Sequence, residues 1–512
     1  MSKVVKYAAS LMAVTILAKV VGFGREQVLS YAYGASMYTD IYIMAMNIPN
    51  VIFAAIGAAL STTFIPIYCD ISENQGEKEA NKFTNNILTI VFILGLIIAI
   101  FGLVFTKPML KVFAYGFSGE TLSTAINFTR ILIGSVLFIG IANVLTSYLQ
   151  VKNNFTVPGL ISLPQNIIVI AAIIISIKYG PYAMVWGTLI GMSMQVLFQL
   201  PFAYKEGYKI KPYLNLRDKN LKKMLILTGP VLIGVTVHQV NTMIDRSIAS
   251  TLGEGSISAL NFADKLNSFV LALFITSIAA VIYPMLSKLS TSKNKEMFED
   301  YIVKSSNSII LLVMPVAVGA IILATPIVRL LFERGAFDET ATQMTSIALV
   351  MYSVGLVAYG LRDIINKVFY SLQDTKTPMI YGVVAMGLNI IFNIILSRFM
   401  GHAGLALGTS LSAIICTILL YINLGKKIGD FGQLKIIKTA IKALIASIAM
   451  GVITGFTYNY IDSILSSSLI NELVSLSIAV LTGAIVYGIL ILIMKVEEVD
   501  MALDIIKKKI IK

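Results

Sequence analysis

Apolar runs of roughly 18 or more residues recur along the whole of this chain, and each is long enough to cross a hydrocarbon core of about 30 Å. Inside lipid every backbone N–H and C=O must be satisfied within its own segment or in a closed barrel, and the alternation of a barrel strand is absent, so the runs read as helices. Only 13% of the 512 residues are charged and 57% are hydrophobic, against about 25% charged in a soluble domain. The fold class expected is an all-α integral membrane protein with fourteen transmembrane helices. They are placed at residues 6–32, 37–69, 80–106, 121–150, 155–178, 181–204, 224–251, 256–286, 302–326, 340–371, 377–398, 402–425, 436–460 and 467–494. The long second, eighth and tenth runs imply tilt, kinks or extension beyond the bilayer.

A net charge of +13 would suit nucleic acid, but the basic residues lie in short connectors between apolar runs, as loops on an anionic membrane surface do. With the N-terminus inside, the cytoplasmic side holds 27 Lys and Arg and the external side 6, with 7 deeper in the spans. That bias places both termini in the cytoplasm. The connector 205–223 alone supplies Lys205, Lys209, Lys211, Arg217, Lys219, Lys222 and Lys223, and the tail adds Lys507, Lys508, Lys509 and Lys512. The first run continues past the length of a signal peptide's apolar region and has no cleavage site, so it reads as a span. Cys69 and Cys416 form no disulfide framework or metal motif.

The chain repeats internally. Lys111-Val-Phe-Ala-Tyr-Gly-Phe117 is answered by Leu330-Leu-Phe-Glu-Arg-Gly-Ala-Phe-Asp338, Ser147-Tyr-Leu-Gln150 by Phe369-Tyr-Ser-Leu-Gln373, Pro66 by Pro284, and Gly34 by Gly253. Six spans separate the halves, so the repeat is parallel, about an axis along the membrane normal. The domains expected are a six-helix lobe at 1–215, a second at 216–430, and two further helices with a basic tail at 431–512, with substrate held between the lobes.

Ionisable residues inside spans cost roughly 2.5–3.5 kcal/mol each on insertion scales, and so mark function. Lys19, Arg25 and Glu26 lie in the first span, Asp40 in the second, His238, Asp245 and Arg246 in the seventh, Asp264 and Lys265 in the eighth. Arg130 lies in the fourth and Arg362, Asp363 and Lys367 in the tenth, where snorkelling or local pairing accounts for them. The leading helices of both halves thus hold cations at similar depth, and guanidinium and ammonium groups suit a phosphate-bearing ligand. The alternative is internal neutralisation, Arg25 with Glu26, Asp245 with Arg246, Asp264 with Lys265. A second constellation, Asp245 with Asn389, Asn393 and Thr409, offers a carboxylate, amide and hydroxyl oxygens to a small hard cation. Ordinary interhelical hydrogen bonds are the alternative there. His238, alone in its run, reads as a satisfied polar contact. No phosphate loop, nucleophile elbow or metal-ligand cluster occurs in the sequence, so an enzyme is not expected.

Several phrases carry a family resemblance: Val21-Gly-Phe-Gly-Arg-Glu26, Thr39-Asp40 leading to Ile48-Pro-Asn50, Phe64-Ile-Pro66, Phe262-Ala-Asp-Lys-Leu266 and Leu331-Phe-Glu-Arg-Gly-Ala-Phe337. In order and in a fourteen-span frame they resemble the MurJ (MviN) family of lipid II flippases, in the superfamily of multidrug and polysaccharide exporters. The resemblance covers essentially the whole chain. It implies alternating access in the bacterial cytoplasmic membrane, a cationic cavity for the diphosphate-sugar headgroup, and a groove for the polyprenyl tail at the last two helices. It implies substrate contacts at Lys19, Arg25, Glu26, Asp40, Asn50, Ser258, Asp264 and Lys265, and a sodium site at Asp245, Asn389, Asn393 and Thr409. The expected partners are lipid II, membrane lipids and cell-wall synthesis enzymes, with no nucleic acid. Flipping of a teichoic-acid or capsule unit, cation-coupled drug export and a scaffolding role are the alternatives.

Overall fold

The computed structural model describes residues 3–291, 294–465 and 468–498. Within these, the side chains of 3–16, 54–56, 58–59, 61, 230–238, 273–274, 276–281 and 291 are left undescribed. His238 and the basic tail therefore lie outside what is described. Among the described residues there are helices and no strand. The chain forms two compact units, one of Met1–Ser258 with Arg334–Phe337 and one of Ala259–Glu333 with Asp338–Lys512.

The first unit contains α1 (Lys3–Tyr33), α2 (Met37–Gln75), α3 (Glu77–Val104), α4 (Thr106–Phe113), α5 (Gly119–Leu132), α6 (Ser135–Val151), α7 (Thr156–Leu160), α8 (Ser162–Tyr179), α9 (Pro181–Lys205) and α10 (Lys219–Ala249). Helix α2 packs on α5, α6 and α10, and α8 lies along both α1 and α9. The α8–α9 approach depends on small residues, because a Cβ at Gly187 would run into that of Ala172. Phe64, Tyr68, Phe83, Tyr148 and Tyr208 form a ring cluster with centroids 4.8–5.8 Å apart, which is offset or edge-to-face contact.

Helix α11 (Ser256–Thr291) leads into the second unit, followed by α12 (Lys295–Ile322), α13 (Ala324–Phe332), α14 (Glu339–Ser353), α15 (Leu356–Ser371), α16 (Lys376–Met400), α17 (His402–Ile428), α18 (Gln433–Ile464) and α19 (Leu469–Ile493). Its core joins Ile309, Leu356, Ile364, Phe369, Leu420 and Ala443. The expected kink of the tenth run is present, a 42° bend between α14 and α15. Short helices α4 and α13 fall where connectors or span ends were expected.

Nine helices among the described residues are long and apolar enough to cross a membrane, ten with the bent α14–α15 pair. They keep large side chains outward: Ile97 and Phe101 on α3, Ile167 and Ile174 on α8, Ile391 and Ile394 on α16, Ile485 and Ile489 on α19 are all exposed. Apolar surface this extensive belongs in lipid.

Candidate functional site

The first helix breaks its apolar run at Gly22, Gly24, Arg25 and Glu26. The Arg25 side chain keeps 16% exposure while Glu26 keeps 5%. Arg25 Nη2 donates to Glu26 Oε1 at 2.6 Å, and Nη1 donates to Asn166 Oδ1 on α8 at 3.2 Å. Removing a buried carboxylate from water is costly unless it is paired, and the neighbouring arginine supplies the pair. Asn166, itself buried, holds the other branch of the guanidinium fork, so two contacts fix the orientation of the group. Beside it, Gln195 Nε2 donates to Gln165 Oε1 at 2.6 Å, and Tyr42 shares a 2.8 Å hydrogen bond with Thr188. Among the described side chains, Arg25 thus shares this unit with the neutral amides and hydroxyls of Gln165, Asn166, Gln195, Tyr42 and Thr188. An anion replacing Glu26 at the guanidinium would find a fork already aimed.

Asp40 lies in the first turn of α2. It is buried, and its carboxylate accepts the backbone N–H of Gly255 at 2.8 Å, the N–H of Ser258 at 2.7 Å and the Ser258 hydroxyl. In return Glu254 Oε1 accepts the N–H of Met37 at 2.7 Å. The first turns of α2 and α11 have orphan N–H groups, and each is met by a carboxylate from the other's turn. Asp40 and Ser258, expected at the substrate, are engaged with each other. Asn50 donates to its own helix at Met46 O, 2.9 Å away.

Lys19 is exposed on α1, Asp264 is exposed and Lys265 half-buried on α11, and Asp245 is half-buried on α10. Lys367 pairs with Asp363 one turn away at 2.6 Å, the local pairing expected of that set. Three of the oxygen constellation meet in the second unit. Asn389 Nδ2 donates to Thr409 Oγ1 at 3.1 Å, Asn393 Nδ2 donates to Asn389 Oδ1 at 3.1 Å, and Thr409 Oγ1 donates to Leu405 O at 2.9 Å. Both asparagines are buried. This chain ties α16 to α17, and Gly408, whose missing Cβ leaves room for Asn393 Oδ1, lets the helices approach.

Sequence reasoning missed Asn85, Asn86 and Thr89 on α3. The 206–218 connector has no helix or strand, and these three side chains satisfy its backbone. Asn85 donates to Lys209 O and accepts from Lys211 N, Thr89 accepts from Tyr213 N, and Asn86 both accepts from Asn215 N and donates to Asn215 O, all at 2.8–3.3 Å. The signal available was three polar residues opening an otherwise apolar run.

The family profile described as "Lipid II flippase MurJ" matches residues 29–473. The chain belongs to the MurJ family. It is 30% identical to the probable lipid II flippase MurJ of Buchnera aphidicola subsp. Baizongia pistaciae, over 82% of this chain and 83% of that one. A solved structure titled "Lipid II flippase MurJ, inward closed conformation" superposes with a TM-score of 0.80 at 27% identity, covering 94% of this chain and 99% of the other. An inward-facing multidrug resistance MATE family transporter of the MOP superfamily shares the fold at 15% identity, with a TM-score of 0.69 over 83% of this chain and 99% of that one. MurJ family members are transporters.

Proposed function

We propose that the chain carries lipid II across the bacterial cytoplasmic membrane, from the inner to the outer leaflet, by alternating access. Membership in the MurJ family is the observation that carries this reading. Arg25 is the group we assign to the diphosphate, because a half-buried guanidinium held by Glu26 and Asn166 is pre-oriented for a charged, bidentate ligand. Lys265 supplies a second, point-like cation, and Lys19, Glu26, Asn50 and Asp264 contact the headgroup. Asp40 and Ser258 act by positioning the starts of α2 and α11. Drug export is disfavoured by this basic set, which calls for an anionic cargo.

The architecture we assign has fourteen spans: the ten apolar ones plus α1, α2, α10 and α11, of 31, 39, 31 and 36 residues. Two lobes, 1–215 and 216–430, repeat in parallel, and 431–512 adds the pair that holds the polyprenyl tail. Matching breaks support the repeat. Phe105 and Leu323 end their helices at φ −98°, ψ 18° and φ −100°, ψ 20°. Asn153 and Gln373 occupy left-handed turns at φ 59° and 58°. The next residue of each turn, Asn154 or Asp374, accepts the N–H three positions on. Both termini lie in the cytoplasm in this reading, which the charge of the basic connectors supports.

A sodium ion at Asp245, Asn389, Asn393 and Thr409 is a second element of this reading. The hard-oxygen donor set fits such an ion, and the convergence of Asn389, Asn393 and Thr409 supports it. Sodium chloride should then raise the melting temperature of the purified protein more than choline chloride does, and Asn393→Leu should abolish the difference. Equal melting in both salts for the wild type would remove the ion.

The deciding experiment for transport uses a strain whose only lipid II flippase is this chain. Depletion should block exposure of lipid II at the outer leaflet, and Arg25→Ala should fail to restore it. Normal exposure after depletion would overturn the assignment.

A further inference from the structure

The 206–218 connector is a formed strap with a defined depth against α3. Starting at Asn85 on α3, it reaches Thr89 at Tyr213 and returns to Asn86 at Asn215. Its apex, Pro212 to Leu214, therefore sits about one helical turn further along α3 than its ends. The lipid-facing side chains of α3 begin at Phe92 and Ile93, both exposed, about one turn beyond Thr89. The strap thus lies at the edge of the apolar run, the level of lipid headgroups. Lys82 Nζ lies over the Tyr213 ring at 5.3 Å, and Arg217 N donates to Asn215 Oδ1 at 3.0 Å, so both limbs are held.

What the strap turns outward is amphipathic. Leu214 is 50% and Leu216 71% exposed, and Lys209, Lys211 and Arg217 flank them, also exposed. Two bare leucines facing water alone would be a poor use of a pinned segment. Leucines at headgroup depth between basic side chains are the composition of an interfacial anchor. We infer that the 209–217 strap docks on the anionic phospholipid surface of the leaflet at the α3 N-terminal end, with Leu214 and Leu216 entering the interface and Lys209, Lys211 and Arg217 meeting phosphate groups. The occupant follows from the charge and from the strap's continuity with the lipid-facing surface of α3.

The test places a fluorophore on the strap in the full-length protein. Trp186 is the chain's one tryptophan, so Trp186→Phe combined with Leu214→Trp reports from the strap alone, with Leu216→Trp as a second probe. The protein is reconstituted in nanodiscs of phosphatidylcholine, or of phosphatidylcholine with phosphatidylglycerol, carrying nitroxide-labelled lipids. Tryptophan at either site should be quenched by shallow nitroxides, more so with phosphatidylglycerol. Adding Lys209→Gln, Lys211→Gln and Arg217→Gln should remove the phosphatidylglycerol increment, with lipid binding about fivefold weaker per charge lost and the melting temperature unchanged. Quenching by aqueous iodide with none from lipid would overturn the inference, as would equal lipid quenching in both compositions. Relief of quenching by lipid II, at phosphatidylglycerol held constant, would assign the strap to the substrate and likewise overturn it.

Discussion

Asp40 on α2 accepts both the backbone N–H and the hydroxyl of Ser258, 218 residues further along the chain. With Gly255 N–H on the other oxygen and Glu254 answering at Met37, two helix starts cap each other. Asp40→Ala would leave two buried N–H groups without acceptors, so it should cost about 2–4 kcal/mol. Asp40→Asn should cost less, because one acceptor oxygen survives. Thermal melting followed by size-exclusion chromatography measures both, and a neutral Asp40→Ala would mean that water reaches these groups.

Arg25 and Glu26 separate folding from transport. Arg25→Ala alone removes the ion-pair partner of a buried carboxylate and should destabilise by about 3–5 kcal/mol. Arg25→Met with Glu26→Leu removes both charges and should recover most of that loss. Lipid II exposure in cells should be lost in both variants. Recovery of transport in the double variant would show that the cation is structural only.

Gly34 and Gly335 sit at φ 59° and 62°. A Cβ on the first would collide with the Ala336 carbonyl, and a Cβ on the second with the Tyr31 carbonyl. Gly335→Ala combines an unfavourable backbone conformation with that collision and should lower stability by more than the roughly 1 kcal/mol of a φ penalty alone. Melting of this variant against Gly119→Ala, at φ 54° with open space around it, isolates the packing contribution.

Asp374 lies in the turn between α15 and α16. Burial would raise its carboxyl, but Lys427 and the N–H and hydroxyl of Thr377 prevail and hold it down to about 2. A folded value below the ordinary one, about 3.9, stabilises the fold at higher pH and loses that contribution as pH falls through the folded value. The melting temperature of the wild type should therefore exceed that of Asp374→Asn above about pH 4, with the gap closing towards about pH 2. A gap unchanged across that window would mean the carboxylate is not linked to folding.

Much of the helical frame was legible because lipid imposes one rule on every span: a long apolar run must be a helix. Helices α4 and α13 were not, since an amphipathic turn of eight or nine residues gives no span-length signal. Among site residues, the Arg25–Glu26 pair could be read from adjacency. Asn166, 141 residues away, could not, because a single amide in an apolar helix does not say which neighbour it faces. For Asp40 the sequence shows the cost of burying a carboxylate and hides the Gly255 and Ser258 donors that offset it. Asn85, Asn86 and Thr89 went unread because their partners in the 206–218 connector are backbone groups, which leave no mark in composition.

The segment Arg334–Phe337 packs within the unit otherwise built from Met1–Ser258, where Ala336 N–H donates to Tyr31 O at 2.9 Å and Phe337 is buried. That has a consequence for biogenesis. Chains leave the ribosome from the N-terminus and tend to fold in that order, yet this first unit stays incomplete until four residues made some 75 positions later arrive. A nascent chain stopped before Arg334 should remain a client of insertion chaperones, however many of its helices are already in the bilayer.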